Sequence, residues 1–588
     1  MRHVRRFSVS THWLAGALPL CAALAFGCHG EVGDTGGSAG STPLCNSSDP
    51  TNVIAEQRIG LVTSTQLVNM IKLVSTTEAQ SVIDNRIFDV TTDVRHRFPP
   101  PAAEQYRSIP DSTTLNSFNT LAQHVGNYVR DHFTEVTKCA TPGTDACATA
   151  YLDSLAIKAY RRQLTAEEKD RFTGAAGLYH TLRSQLVNNY QVTTSVEEAT
   201  GNSVYGLFMT PQLLWRWELG AGVASTSPPG VYLTDAELAS NLSFYLTDEP
   251  PDDMLIAAAQ AGNLRTNLAA HVDRILATPT SRAWLTKVMS MYFLLNQLPG
   301  TAIDATKFTI VAGGGVYADL QEESRLFLND VMWNGGKITD LITSRKAFLN
   351  TNLATMIYDV PVPAGATATN FVETTLPADQ RAGMLTSAAF ITTRARADGV
   401  GVVPRGLGVK ALFLCLDTPP PPDAINMPGG PVDSQRKMLE TQTAQEQVAT
   451  RAAVPLCGQC HPTFDPYGLV LDWYDVVGKF RTVDHLNKPI DGTTKLPDDI
   501  GGQTVTTAIE LSEVLSKSDM FVNCMSRQFI NYALQGSAVE LPLPAKQQPG
   551  CAAADVAHKV RTSPKQSFAD LTRAIATSPA FTLRKQVQ

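Results

Sequence analysis

The chain lacks the short motifs that announce most hydrolytic and nucleotide chemistry. It has no H-E-x-x-H pair and no phosphate-binding glycine loop, and its G-x-S-x-G match, Gly36-Gly37-Ser38-Ala39-Gly40, falls in a Gly/Ser-rich stretch with no strand before it, so serine-hydrolase, zincin and P-loop mechanisms have no foothold. Gly313-Gly314-Gly315 has no following Lys and no strand before it, and reads as a loop. Cations are also short: 48 Lys and Arg against 55 Asp and Glu leave a formal net charge of −7, with no basic stripe. That balance argues against a nucleic-acid partner, because phosphate binding depends on clustered positive charge. After the leader there is no apolar run long enough to cross a bilayer. Strand signals are few, confined to residues 231–233 and a short hairpin around 489–494. There is no second C-x-x-C or C-x-x-H pair, which a structural zinc site would need.

What is present is concentrated in one pentad, Cys457-Gly458-Gln459-Cys460-His461. This is the C-x-x-C-H spacing of covalent c-type haem attachment. Each thiol adds across one haem vinyl group, and the adjacent imidazole becomes the proximal ligand of the iron. A local disulfide or redox thiol pair, followed by an ordinary histidine, is the rival reading of the same residues. Pro462 and Pro466 directly after His461 forbid a long continuous helix there.

The N-terminus suits an exported protein. Arg2, Arg5 and Arg6 precede an apolar stretch over residues 13–26, the pattern of a signal peptide. It closes on Leu24-Ala25-Phe26-Gly27-Cys28, which is close to a lipoprotein signal with Cys28 lipidated. Cleavage after Ala25 is the alternative, since Ala23-Leu24-Ala25 has the A-x-A form. Residues 30–42 are Gly, Ser and acid, a flexible tether. The expected location is the periplasm or cell surface, with membrane contact only through a lipid anchor in the outer membrane. Cysteine usage agrees with an oxidising compartment. Cys139 with Cys147 and Cys524 with Cys551 each bracket a turn-rich excursion and are expected as local disulfides, leaving Cys45 and Cys415 unassigned.

A chain of this length exceeds one hydrophobic core and should form several units. Apolar residues recur at helical spacing over 64–85, 115–138, 148–162, 268–276, 281–295 and 320–333. Thr165 with Glu168, and Thr234 with Glu237, have the spacing of capping boxes. A Pro-rich stretch over 419–431 breaks the chain before the pentad. The fold class is mainly α, multi-domain, with a C-terminal cytochrome-c-like module. The expected segments are a leader (1–28), a tether (29–55), an N-terminal helical region (56–138) and a helical domain with the local disulfide (139–222). A central helical domain (230–360), the C-x-x-C-H domain (375–500) and a C-terminal helical domain (501–588) follow.

The order of motifs resembles an exported, cytochrome-c-like multi-domain family of planctomycetes and myxobacteria, the unknown-function series 1595, 1592, 1588 and 1585. Ala159-Tyr160-Arg161-Arg162-Gln163-Leu164-Thr165 is similar to its A-Y-R-R-P-L-T segment, and residues 209–220 to its S-P-x-F-L-Y-R-x-E-x-G segment. Residues 238–246 with Pro251-Asp252-Asp253, then Arg381 to Thr386, Arg405-Gly406 and the prolines at 419–422 continue the match. Cys457, Cys460, His461, Asp465, Pro466, Gly468, Leu471, Tyr474, Asp475, Gly478 and Arg481 carry the family's C-x-x-C-H-x-x-x-D-P-x-G pattern and its continuation. The resemblance implies a covalent haem c but no settled reaction. It also exposes departures: Thr450 and Arg451 stand where relatives often carry a histidine, and Phe464 where many carry a methionine. Met438, His485, Met520 and Met525 are the remaining candidates for a second axial ligand.

Asp465 before Pro466 reads as a helix N-cap, and Asp475 as a partner of Arg481. Arg161 and Arg162 read as structural partners of Glu218 or Glu168. Two classes of function follow: a mono-haem electron-transfer protein with a redox partner or envelope component, or a haem-free surface lipoprotein that binds a polymer or protein. A haem oxidoreductase with an open iron position is the enzymatic variant of the first.

Overall fold

The computed structural model describes residues 54–585, apart from 86–111, 141–142, 188–189, 221–222, 301–302, 312–313, 397–398, 417, 419–440 and 535–547. The leader, Cys28, the tether, the Pro-rich stretch and Met438 lie outside the described residues.

The chain is mainly helical, and local capping chemistry explains where many helices begin. Thr165 and Thr234 accept hydrogen bonds from the amides of Glu168 and Glu237, both at 3.1 Å, and those glutamates accept the cap amides in return. The apolar stretch over 64–85 is two helices, Ser64–Ile71 and Thr76–Asp84, because the Ser75 hydroxyl accepts from Glu78 N at 3.2 Å and starts a new one. Leu268–Leu276 and Pro279–Tyr292 are likewise separated by the cap Thr278, and Pro279 has no amide with which to prolong the first helix.

Among the described residues these helices pack into two large apolar cores and a small third cluster of Val402, Ala444 and Leu469. Leu121, Val125, Val129, Leu152, Ala156 and Leu207 belong to the first, built from residues between Leu61 and Trp215. Its main crossing, Ser112–Asp131 against Val196–Phe208, is close because glycines face each other there. A Cβ on Gly126 would meet Gly201 O at 2.6 Å. The second core is continuous from Leu233 to Phe581 and contains the pentad's neighbours Phe464 and Tyr467.

A small sheet brings together the two ends of the described residues. Its order is Ala55–Glu56, Leu583–Lys585, Pro229–Tyr232, Ala224–Thr226, with the first pair parallel. Beside it Glu218 is fully buried and accepts from Arg58 (2.7 Å), Arg216 (3.4 Å) and Arg584 Nε (3.0 Å). Burial opposes its charge, but Arg58, Arg584 and Arg216 together hold its carboxyl well below the usual range. The expected strand near 231–233 exists as Pro229–Tyr232. The hairpin at 489–494 does not take the expected form: Pro489 bridges Val483, while Thr494–Lys495 pairs with Thr504–Val505. Arg58–Leu61 with Trp215–Glu218, and Lys346–Leu349 with Val372–Thr375, are further antiparallel pairs.

Candidate functional site

The pentad follows the helix Ala444–Ala453, which opens with a capping box between Thr443 and Glu446. Ala444, Gln447 and Arg451 lie on its buried face. The chain then turns tightly. Gly458 N donates to Val454 O (2.7 Å), and Cys460 N and His461 N both donate to Cys457 O (3.1 and 3.0 Å). Gly458 is required at this turn, because a Cβ there would sit 2.5 Å from Ala452 O. A single helical turn, His461–Thr463, carries Pro462, and the helix Asp465–Leu469 begins with Pro466 near its start.

Behind the pentad Val402–Phe413 crosses Asp465–Leu469 at glycines. A Cβ on Gly406 would fall 2.1 Å from Phe464 O, and one on Gly468 would fall 1.9 Å from Val402 O. Arg405 on the same helix is fully buried and donates to the carbonyls of Leu471 (2.8 Å), Tyr474 (2.7 Å) and Asp475 (2.5 Å). Arg381 donates to Thr386 O and Gly478 O, both at 2.7 Å, and is packed between the rings of Tyr358 and Tyr474. These two guanidiniums gather the chain that follows the pentad.

His461 is one-fifth exposed, and its Nδ1 lies 3.1 Å from Asp465 Oδ1. The other carboxylate oxygen of Asp465 accepts from Arg451 Nε at 2.7 Å, with Arg451 and Asp465 4% and 1% exposed. Arg451 Nη2 is buried with no hydrogen-bond partner among the described residues. The Phe464 ring packs against the imidazole at 4.8 Å. Val454 and Leu456 expose apolar side chains just before Cys457.

Several expected placements change. Asp465 is the first residue of its helix and makes no cap; its carboxylate faces Arg451 and His461 instead. Arg481 pairs with Asp472 Oδ1 (2.7 Å), while Asp475 accepts from Val477 N and Lys479 N to close a tight turn. Arg162 pairs with Glu168 (2.7 Å), whereas Arg161 donates to four carbonyls, of Ala159, Leu213, Gln212 and Trp215. Met525 is fully buried in the second core, Met520 packs partly against it, and His485 is exposed.

The structure contains a Cys139–Cys147 disulfide. The expected Cys524 to Cys551 bridge is not formed: Cys524 is bonded to Cys415, with their Cα atoms 5.2 Å apart. Short separation along the chain suggested the first pairing. Packing of Asp519–Ala533 against the end of Val402–Phe413 produces the second. Cys460 and Cys551 each take part in a disulfide, and Cys457 is a buried thiol, so the two pentad cysteines are not joined to each other.

Two stretches match models of known families. Residues 233–360 match PSD4, a protein of unknown function (DUF1592), and residues 381–484, which include the pentad, match PSCyt3, a protein of unknown function (DUF1588). Both belong to the cytochrome-c-like series 1595, 1592, 1588 and 1585. Two stretches of the chain are thus similar to domains of that series. No curated protein and no solved structure matches it. Glu323 and Tyr358 of the first matched stretch lie around one small cavity with Arg381 and Ser387 of the second.

Sequence reasoning identified Cys457, Cys460 and His461 but missed Arg451 as part of the site. The available signal was its place four residues after Gln447 on the inner face of an amphipathic helix. A cation there requires a buried acceptor.

Proposed function

We propose that this is a cell-envelope c-type mono-haem protein that passes single electrons, with the large helical part as its scaffold. The observation that carries the reading is His461 in the C-x-x-C-H spacing with its Nδ1 held by the buried Asp465. That contact leaves Nε2 as the ring nitrogen to ligate iron, which is how metal-binding histidines are ordinarily oriented. Cys457 and Cys460 would hold the ring through thioethers. The orphaned Arg451 Nη2 supports the fit, since it is a buried donor that a ligand carboxylate would satisfy. Bound there, haem supplies a one-electron Fe(III)/Fe(II) couple. A sulfur that forms a disulfide cannot also form a thioether, so attachment requires Cys460 as a thiol when the ring is loaded.

Expression in a host with haem-attachment machinery tests the reading. The expected product carries one haem that survives denaturation and acid-acetone extraction. Changing Cys457 and Cys460 to Ser should abolish that covalent retention, and His461→Ala should alter the absorption spectrum. A chain exported from the competent host without haem, with Cys460 still in a disulfide, overturns the proposal in favour of a haem-free binding lipoprotein. The spin state of the reduced protein separates a protein-ligated sixth position from an open one suited to small-molecule chemistry.

Envelope anchoring has its own test. Cys28→Ser should move the protein from the membrane fraction to the soluble one, because that residue would bear the acyl chains. An unchanged distribution counts against the anchor.

A further inference from the structure

Resting on the haem reading, we infer that Arg451 and Asp465 are positioning residues that fix the His461 ring with Nε2 presented and tune its strength as a ligand. Three observations combine. Asp465 opens the helix that follows the His461 turn, and its carboxylate bridges the two side chains, Nδ1 of His461 at 3.1 Å and Nε of Arg451 at 2.7 Å. Arg451 and Asp465 are almost completely buried, so water does not compete for the carboxylate. Asp465 makes no helix cap, although an acidic residue at the start of a helix ordinarily does so or remains in solvent.

The chemistry follows from the donor and acceptor roles. A carboxylate only accepts, so the neutral imidazole must carry its proton on Nδ1 and keep its lone pair on Nε2. A charged acceptor on Nδ1–H increases electron density at Nε2, which makes the ring a better ligand for the higher oxidation state. Arg451 limits this effect by sharing the carboxylate and holds Asp465 in place through a charge-assisted hydrogen bond.

Two readouts test the assignment. In full-length haem-free protein labelled with ¹⁵N-histidine, neutral His461, identified by the signal lost in His461→Gln, should be the Nδ1–H tautomer. Asp465→Asn should abolish that preference and Asp465→Glu should restore it. In haem-loaded protein, Asp465→Asn should shift the reduction equilibrium toward Fe(II) by roughly tenfold, equivalent to ~59 mV for one electron. If Asp465→Asn fails to fold because Arg451 is left unpaired, the double variant Arg451→Gln/Asp465→Asn removes both charges and is read in the same way. An Nε2–H tautomer in the wild type, or an unchanged potential in haem-loaded Asp465→Asn, overturns the inference. A wild-type chain that takes up no haem defeats the functional reading instead, and the tautomer still decides whether Asp465 positions the ring.

Discussion

Arg161, Arg381 and Arg405 are buried and spend their donors on main-chain carbonyl oxygens. Carbonyls satisfy the guanidinium without neutralising it. Burial accordingly pushes Arg161 down to about 9, with Arg216 and Arg162 nearby adding to the effect, and Arg405 down to about 10. A buried carboxyl without close guanidinium partners moves up, unlike Glu218 among its three arginines. Burial raises Glu323 to about 7 from an ordinary value of 4.5; a Ser324 hydroxyl at 3.3 Å and the charge of Arg381 offset only part of this. The folded protein therefore keeps a proton on Glu323 between pH 4.5 and about 7 that the unfolded chain has released. Stability falls as pH rises through that window, and the full penalty is present above it. Glu323→Gln, neutral throughout, should be more stable than the wild type at pH 8 by about 1–3 kcal/mol and nearly equal to it at pH 4. Superimposable unfolding midpoints at both pH values would refute the assignment. At this scale the pentad was legible because its chemistry depends on spacing alone. The Arg451–Asp465–His461 contact was not, because it depends on two helices and a turn closing on one carboxylate.

The helix starts at Thr165 and Thr234 were legible because both halves of a capping box are local, whereas the starts at Ser75, Thr443 and Thr507 were passed over. Helix crossings were not. The glycines at 406 and 468 look like helix-weakening residues in sequence, yet each lets a backbone approach that any side chain would block. Gly468→Ala would place its Cβ 1.9 Å from Val402 O and force Val402–Phe413 away from the pentad. It should destabilise the protein by about 1–3 kcal/mol in chemical denaturation, the usual cost of overpacking. Gly60→Ala is the control, because nothing lies within 4 Å of the added carbon. It should stay within about 0.5 kcal/mol of wild type. Equal effects of the two substitutions would show that the crossing is not as tight as described. The strand pairs Arg58–Leu61 with Trp215–Glu218 and Lys346–Leu349 with Val372–Thr375 also escaped the sequence reading. Each strand is only four residues long, and its pairing is decided by a distant partner rather than by an alternating pattern of its own.

Across the whole molecule, the Cys415–Cys524 bridge spans 109 residues and encloses the pentad with the turns that follow it. Cross-linking so long a loop restricts the unfolded chain strongly. Replacing both cysteines with Ser should lower stability by about 2–5 kcal/mol in calorimetry or denaturant titration. A non-reducing digest should show the Cys415–Cys524 peptide pair in the wild type. Recovery of Cys524 bonded to Cys551 would contradict the fold at this point. The buried cluster of Glu218 with Arg58, Arg216 and Arg584 ties the start, middle and end of the described chain together in the same long-range way. The sequence by itself determined the mainly helical class, several helix starts and the likeness to the DUF1592 and DUF1588 families, because each is carried by local spacing and ordered motifs. Only the tertiary structure decided the disulfide partner of Cys524, the continuous second core and the carboxylate that faces His461. Those depend on which distant surfaces pack together, and the free energy of that packing is not contained in any local stretch of sequence.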